Sequence, residues 1–243
     1  MTQISQNNSA ASPLPIAETR VLAKLNIIHW FRAPVGGIFR HVRDLVEQQV
    51  GEGHSVGIVC DDNTGGDFEQ GYFDALEPSL ELGLHRISME RSIGLKDLSV
   101  AYKLYKKIKP LNVDIFHSHG AKGGAYARLV GTALNGSGQK IARLYCPHGG
   151  SIHYSDTSYS GRLYFLLERA LERVTDRLIF VCEYERDSYL KKVGTTRCPH
   201  SVVYNGVSES EFEPIHSRHK PCDFGYIGMM RDLKGVDLFL QAL

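Results

Sequence analysis

Short apolar, β-branched runs recur along the chain at 24–30 (KLNIIHW), 55–60 (SVGIVC), 84–89 (LHRISM), 113–119 (VDIFHSH), 140–148 (KIARLYCPH), 177–182 (RLIFVC) and 201–206 (SVVYNG). Their length and composition predict seven strands. Between most of them the apolar residues fall at helical spacing. Ile38, Val42, Leu45, Val46 and Val50 share one face, and Leu163, Leu167, Ala170, Leu171 and Val174 share another. Strands that alternate with helices imply an α/β fold, a doubly wound parallel sheet with crossover helices on its faces. In such a sheet ligands sit beyond the carboxyl ends of the strands.

The same pattern divides the chain. Residues 1–20 carry no periodicity and read as a disordered polar leader, and residues 21–207 hold the seven strands as one domain. The segment 208–221 (SESEFEPIHSRHKP) is polar, contains two prolines and breaks the periodicity, so it reads as a linker. Residues 222–243 then read as the first strand (CDFGYIG), loop (MMRDLKG) and helix start (VDLFLQAL) of a second α/β domain, truncated because that helix has no stop signal. No internal repeat of fixed period is present.

Composition narrows the picture. With 243 residues and 42% hydrophobic content the chain can bury a sizeable core, and a formal net charge of +1 gives no reason to expect a nucleic-acid partner. Five scattered cysteines, Cys60, Cys146, Cys182, Cys198 and Cys222, form neither a disulfide framework nor a C-x-x-C zinc pair, and point to a reducing cytoplasm. No apolar run approaches the roughly 20 residues that span a bilayer, and the leader lacks the form of a signal peptide.

Candidate chemistry lies at the strand ends. Gly36 and Gly37 stand between the first strand and its helix, where backbone N–H groups can approach a phosphate; a tight turn is the plain alternative. Asp61 and Asp62 follow the second strand where a dinucleotide fold keeps its ribose carboxylate, yet the G-x-G-x-x-G fingerprint is missing after the first strand. His117 and His119 lie two apart on one strand face; a metal would need a third ligand from His148 or His153. Without a cysteine or carboxylate at ligand spacing they read as packed or hydrogen-bonding histidines, and no metal is expected. His148 ends the fifth strand and is followed by Gly149 and Gly150, so backbone and imidazole can both meet a ligand there; a buried, satisfied histidine is the equal alternative. The polar loop GGSIHYSDTSYSG that follows suits hydroxyl groups. Arg231 and Lys234 suit an anion site beside the start of the last helix; a solvated surface loop is the plain alternative. The helix DLSVAYKLYKKIKP sets Lys103, Lys106, Lys107 and Lys109 against Leu98, Tyr102, Tyr105 and Ile108, an arrangement that packs on a sheet or touches an anionic membrane surface.

Taken in order, GGIFRHV, VDIFHSHGAKGGAYARL, YCPHGG, LIFVCEYERD, VVYNGV and YIGMMRDLKGVDLFLQAL resemble the retaining glycosyltransferases of family GT4, whose two Rossmann-like domains form the GT-B fold. The resemblance runs from about Lys24 to the last residue. It implies that Gly36 and Gly37 face the phosphates and sugar of a nucleotide-sugar donor, and that His148 lies near the transferred sugar and the acceptor. His119, Gly149 and Gly150 complete that acceptor and sugar side. Asn205 and Gly206 match the family's NG turn, with Ser208 where the family has Asp. Lys234 matches the lysine of the phosphate clamp, whose arginine position holds Met229 here, with Arg231 two residues on. Most of the family's donor site, including a pair of glutamates, belongs to the part of the second domain beyond Leu243.

The implied reaction is hexosyl transfer to a hydroxyl of a glycan or lipid-linked acceptor with retention of configuration, by front-face attack in which the leaving phosphate helps to deprotonate the acceptor. No protein nucleophile and no cofactor are then required, because the nucleotide sugar is a substrate. Fixed cations and amide dipoles lower the barrier by meeting the charge that develops on the leaving diphosphate. Two other readings stay open: a nucleotide-sugar epimerase of similar shape, and a half-protein that binds a sugar or a partner without catalysis. The 243-residue chain by itself is expected to be inactive.

Overall fold

In the computed structural model the described residues are 23–214, 222–228, 230 and 234–243. The chain divides between Gly206 and Val207 into two compact units.

The first unit contains all seven expected strands: β1 (Asn26–Trp30), β2 (Ser55–Cys60), β3 (Gly83–Arg86), β4 (Ile115–His119), β5 (Ala142–Cys146), β6 (Arg177–Phe180) and β7 (His200–Val202). They form one sheet in the order β3-β2-β1-β4-β5-β6-β7, and every pairing is parallel. The connections are α1 (Gly36–Gly51), α2 (Asp67–Leu76), α3 (Lys96–Ile108), α4 (Gly120–Gly136), α5 (Tyr159–Glu172) and α6 (Glu183–Lys192). Chain order runs outward in one direction through β2 and β3, then reverses from β1 to β4. That reversal leaves a crevice at the carboxyl ends of β1 and β4.

Burial follows from alternation along the strands. Trp30 joins a core cluster with Leu104, Ile108, Phe116, Val130 and Leu134, whereas Phe31 joins a second with Phe39, Val42, Val46, Ile58 and Phe73. Val42 and Val46 of α1 are fully buried, and Ile38, Leu45 and Val50 are half-buried at the margin of the predicted face. The strand-to-helix turn after β4 lets α4 lie against β1: a Cβ on Gly123 would stand 2.6 Å from Phe31 Cα and 2.7 Å from the Trp30 carbonyl oxygen. Only glycine fits there.

Two helices depart from the expected faces. In α5 the buried positions are Gly161, Phe165 and Glu168, and Leu163 is 54% exposed. The cause is a buried charge: Arg128 Nη2 of α4 donates to Glu168 Oε2 at 2.9 Å with both side chains out of water, so the helix turns its carboxylate inward in place of the leucines. In α3, Leu104 and Ile108 fill the core, whereas Leu98 and Tyr102 are 71% and 58% exposed. Its apolar residues therefore serve two faces.

In the second unit the described elements are a 3-10 turn, Glu209–Phe212, and α7 (Val236–Ala242). Residues 222–228 carry no strand, contrary to the expectation from their apolar pattern. Among the described residues of this unit no neighbouring strand supplies the ladder that an extended segment needs. No helix among the described residues is long and apolar enough to cross a membrane.

Candidate active site at the carboxyl ends of β1, β4 and β5

The reversal point brings together histidines from three strand ends and one helix. His29 of β1 pairs in register with His117 of β4, and His119 lies two residues on along the same face. His148 follows β5, and His41 lies on the second turn of α1. His29, His117 and His119 are buried, and His41 and His148 are half-buried.

Hydrogen bonds link three of these rings. His29 Nδ1 is 3.1 Å from His119 Nε2, and His119 Nδ1 is 3.0 Å from His148 Nε2. Beyond them, His29 Nε2 meets Gln49 Oε1 of α1 at 2.9 Å. His41 stands edge-on to His119 and His148, with ring centroids 5.6 and 5.1 Å away. His117 lies 4.3 Å from His119, ring to ring, and its buried Nε2 has no partner. Burial pushes all five rings toward the neutral form: His29 and His148 are lowered to about 4, His41 is lowered, and His117 and His119 fall well below the usual imidazole range.

His148 is presented by a tight turn. Gly150 N donates to the Pro147 carbonyl at 2.9 Å, and the two residues between them, His148 and Gly149, have φ of +49° and +73°. Left-handed backbone at a residue with a Cβ costs about 1–3 kcal/mol, and such strain persists where the surroundings over-determine it. Here two carboxylates do so. Glu185 of α6 accepts from Gly149 N at 2.6 Å and from Val181 N at 2.8 Å, and Glu168 accepts from Ser151 Oγ at 3.0 Å and Tyr145 Oη at 2.8 Å. Burial raises the Glu185 carboxyl, against the two N–H donors that lower it. A cleft of about 210 Å³ opens beside the turn, lined by Gly149, Ile152, His153, Tyr184, Glu185 and Lys192 among others.

The start of α1 lies after β1 of this crevice. Gly36 has φ +66°, and both Gly36 and Gly37 are exposed. Val35 at the N-cap makes no side-chain bond to the helix, and the first turn carries no acidic residue, so its N–H groups are left open. Asp61, by contrast, is buried and committed: it accepts from Met89 N at 2.7 Å and from Thr64 Oγ1 at 2.9 Å. A carboxylate so engaged does not serve as a ribose ligand, which leaves only the exposed Asp62 of that pair.

Two sets of three ring nitrogens, His29 with His117 and His119, and His41 with His119 and His148, lie within 4.8 Å of one another. Such sets suit a metal in residue type. Both require His119, whose two nitrogens are already engaged by His29 and His148, and neither set includes a carboxylate to offset a buried dication.

Of the residues expected from sequence, His119, His148, Gly149 and Gly150 are brought together, with Gly36 and Gly37 at the helix start that follows β1. Lys234 is exposed just before α7 in the second unit, and Arg231 lies outside the described residues. Sequence reasoning missed His29, His41, Gln49 and Glu185. The available signal was a histidine near the carboxyl end of the first, fourth and fifth predicted strands; adjacency of β1, β4 and β5 makes them one cluster.

Comparison with known proteins gives this geometry a family. A family model described as Glycosyltransferase Family 4 matches residues 35–211, well over half of the chain. An uncharacterized 41.2 kDa protein of the cps region of Klebsiella pneumoniae is 22% identical over 229 residues, covering 90% of this chain and 60% of its own length. Among solved structures, a glycosyltransferase from Rickettsia africae superposes with a TM-score of 0.58 at 19% identity, over 79% of this chain and 46% of that one. Anabaena HepE, crystallised with UDP and glucose, gives 0.55 at 12% identity, over 77% and 48%. The chain thus spans about half to three fifths of the length of these relatives. It belongs to Glycosyltransferase Family 4, and its first unit has the Rossmann-like architecture of that family's GT-B enzymes.

Proposed function

We propose that the polypeptide carrying this sequence is a glycosyltransferase that moves a hexose from a nucleotide-sugar donor to a hydroxyl of a glycan or lipid-linked acceptor, with retention of configuration. The observation that carries this reading is His148, held in a strained turn at the sheet's reversal point by two carboxylates and by His119. A neutral imidazole titrating near pH 4 is a poor proton acceptor for an alcohol. It suits hydrogen bonding to sugar hydroxyls, which leaves deprotonation of the acceptor to the departing phosphate. His119, Gly149 and Gly150 belong with it to the sugar and acceptor side, and the cleft beside the turn offers room for the acceptor. The open N–H groups of Gly36 and Gly37 suit the donor's phosphates, and the family resemblance assigns Lys234 and Arg231 to phosphate binding as well. Neither a cofactor nor a metal is needed for this chemistry. The kind of donor is supported by HepE, a relative in fold that was crystallised with UDP and glucose.

The 243-residue chain, three fifths of the length of its Klebsiella relative, transfers no sugar by itself in this reading. A cytoplasmic location accords with five free cysteines. Contact with an anionic membrane surface is supported by Ile93, Leu95, Leu98 and Tyr102, exposed beside Lys96, Lys103, Lys106 and Lys107. Sedimentation with phosphatidylglycerol vesicles, lost in Leu98→Asp, tests this; equal sedimentation of both proteins refutes it.

The central test is acceptor-dependent release of nucleoside diphosphate by the intact polypeptide. His148→Ala is expected to lower kcat/KM by about 10²-fold or more. Near-normal kcat/KM overturns the assignment, and sugar conversion without any acceptor points to an epimerase instead.

A further inference from the structure

We infer that Gln49, His29 and His119 act as a chain of positioning residues that fixes the hydrogen-bonding sense of His148, leaving its Nδ1 as an acceptor for a substrate hydroxyl. The inference rests on the transferase reading only for the identity of that hydroxyl. The ordering itself follows from counting protons.

A neutral imidazole has one N–H donor and one lone pair, and every hydrogen bond requires one of each. Gln49 Oε1 can only accept, so the 2.9 Å contact puts the His29 proton on Nε2. His29 Nδ1 must then accept, so the 3.1 Å contact puts the His119 proton on Nε2. His119 Nδ1 must accept in turn, and the 3.0 Å contact puts the His148 proton on Nε2. Nδ1 is the nitrogen of His148 that remains. A single amide on α1, three contacts away from the turn, thereby decides whether that nitrogen accepts or donates. If the Gln49 amide presents its NH₂ instead, every proton in the chain moves to the other nitrogen and His148 Nδ1 becomes a donor.

The setting suits such ordering. His29 and His119 are buried, so water does not compete for their nitrogens. The other two rings of the cluster, His41 and His117, contact the chain through their ring faces and edges and are not hydrogen-bonded to it. Rings that burial keeps neutral retain one proton each, which is the condition for a unique ordering.

The test begins with ring-nitrogen NMR of the ¹⁵N-histidine-labelled chain at pH 7. The expected result is protonated Nε2 and bare Nδ1 at His29, His119 and His148; a protonated Nδ1 at His148 overturns the inference. Gln49→Met, similar in shape but without the acceptor, should mix or reverse the tautomers, whereas Gln49→Glu, which keeps an acceptor oxygen, should preserve them. An unchanged His148 tautomer in Gln49→Met also overturns it. In the intact polypeptide Gln49→Met should lower kcat about tenfold, the value of about one hydrogen bond, with KM for the donor little changed and kcat restored in Gln49→Glu. Stoichiometric uptake of Co²⁺ with a tetrahedral visible spectrum overturns it too, since the metal would take the same nitrogens. The two readings separate cleanly. Correct tautomers without any sugar transfer defeat the transferase assignment alone, and transfer with a protonated His148 Nδ1 defeats the chain alone.

Discussion

Acidification is expected to destabilise the first unit well above the pH at which carboxylates titrate. The perturbation is a shift from pH 7 to pH 5. Burial lowers His29 and His148 from 6.5 to about 4 in the folded protein. The unfolded chain then binds more protons than the folded one between these values, so stability is complete above pH 6.5 and is lost as pH falls toward 4. A histidine with these two values loses about 2 kcal/mol of stability between pH 7 and pH 5. His29 and His148 together give about 4 kcal/mol, and His117 and His119, lowered well below the usual imidazole range by burial and by their neighbouring rings, add with the same sign. Glu185 opposes them, because burial raises its carboxyl and favours proton uptake in the fold, but it is a single group. For a chain of this size about 4 kcal/mol corresponds to a fall in Tm of about 8–16 °C. Thermal unfolding followed by far-UV circular dichroism at pH 7, 6 and 5 measures it directly. A Tm that stays within about 2 °C over this range refutes the claim that the cluster is buried and neutral.

Two further changes probe how the crevice is supported. Gly123→Ala places a methyl group 2.6 Å from Phe31 Cα, and should cost about 1–3 kcal/mol as α4 is pushed away from β1; urea unfolding with an unchanged midpoint would contradict this packing. Arg128→Met strands the Glu168 carboxylate in the core and should cost about 3–5 kcal/mol, much of it recovered in the double variant with Glu168→Gln, which removes the charge and keeps an oxygen for Tyr145 Oη and Ser151 Oγ. Equal stability of the single and double variants, read from the same urea curves, would rule out a buried pair.

The sheet was legible because its central strands β1, β2 and β4 are almost wholly buried and read as apolar runs, whereas the site was only half legible. His119 and His148 could be picked out since each is followed by glycine in its own motif. His29 and Gln49 could not, because their roles arise from strand adjacency and from the way α1 returns over β1, neither of which periodicity encodes. The same limit explains α5. Its leucines form an acceptable helical face on paper, but Arg128, forty residues earlier, claims Glu168 and sets the rotation of the helix. Residues 222–228 show the reverse case, a strand-like run with no strand beside it among the described residues of its unit.

The central position of β1 also has a consequence in time. His29 meets His119, a residue made ninety positions later in synthesis, and the chain of contacts is complete only when His148 has joined as well. A nascent polypeptide that has emerged as far as β3 holds three strands with His29 and His41, but neither His119 nor His148. Contacts of such long range form late in folding. A polypeptide that has emerged only as far as α4 can thus pair His29 with His119 but lacks His148, and the contact chain ends one step short.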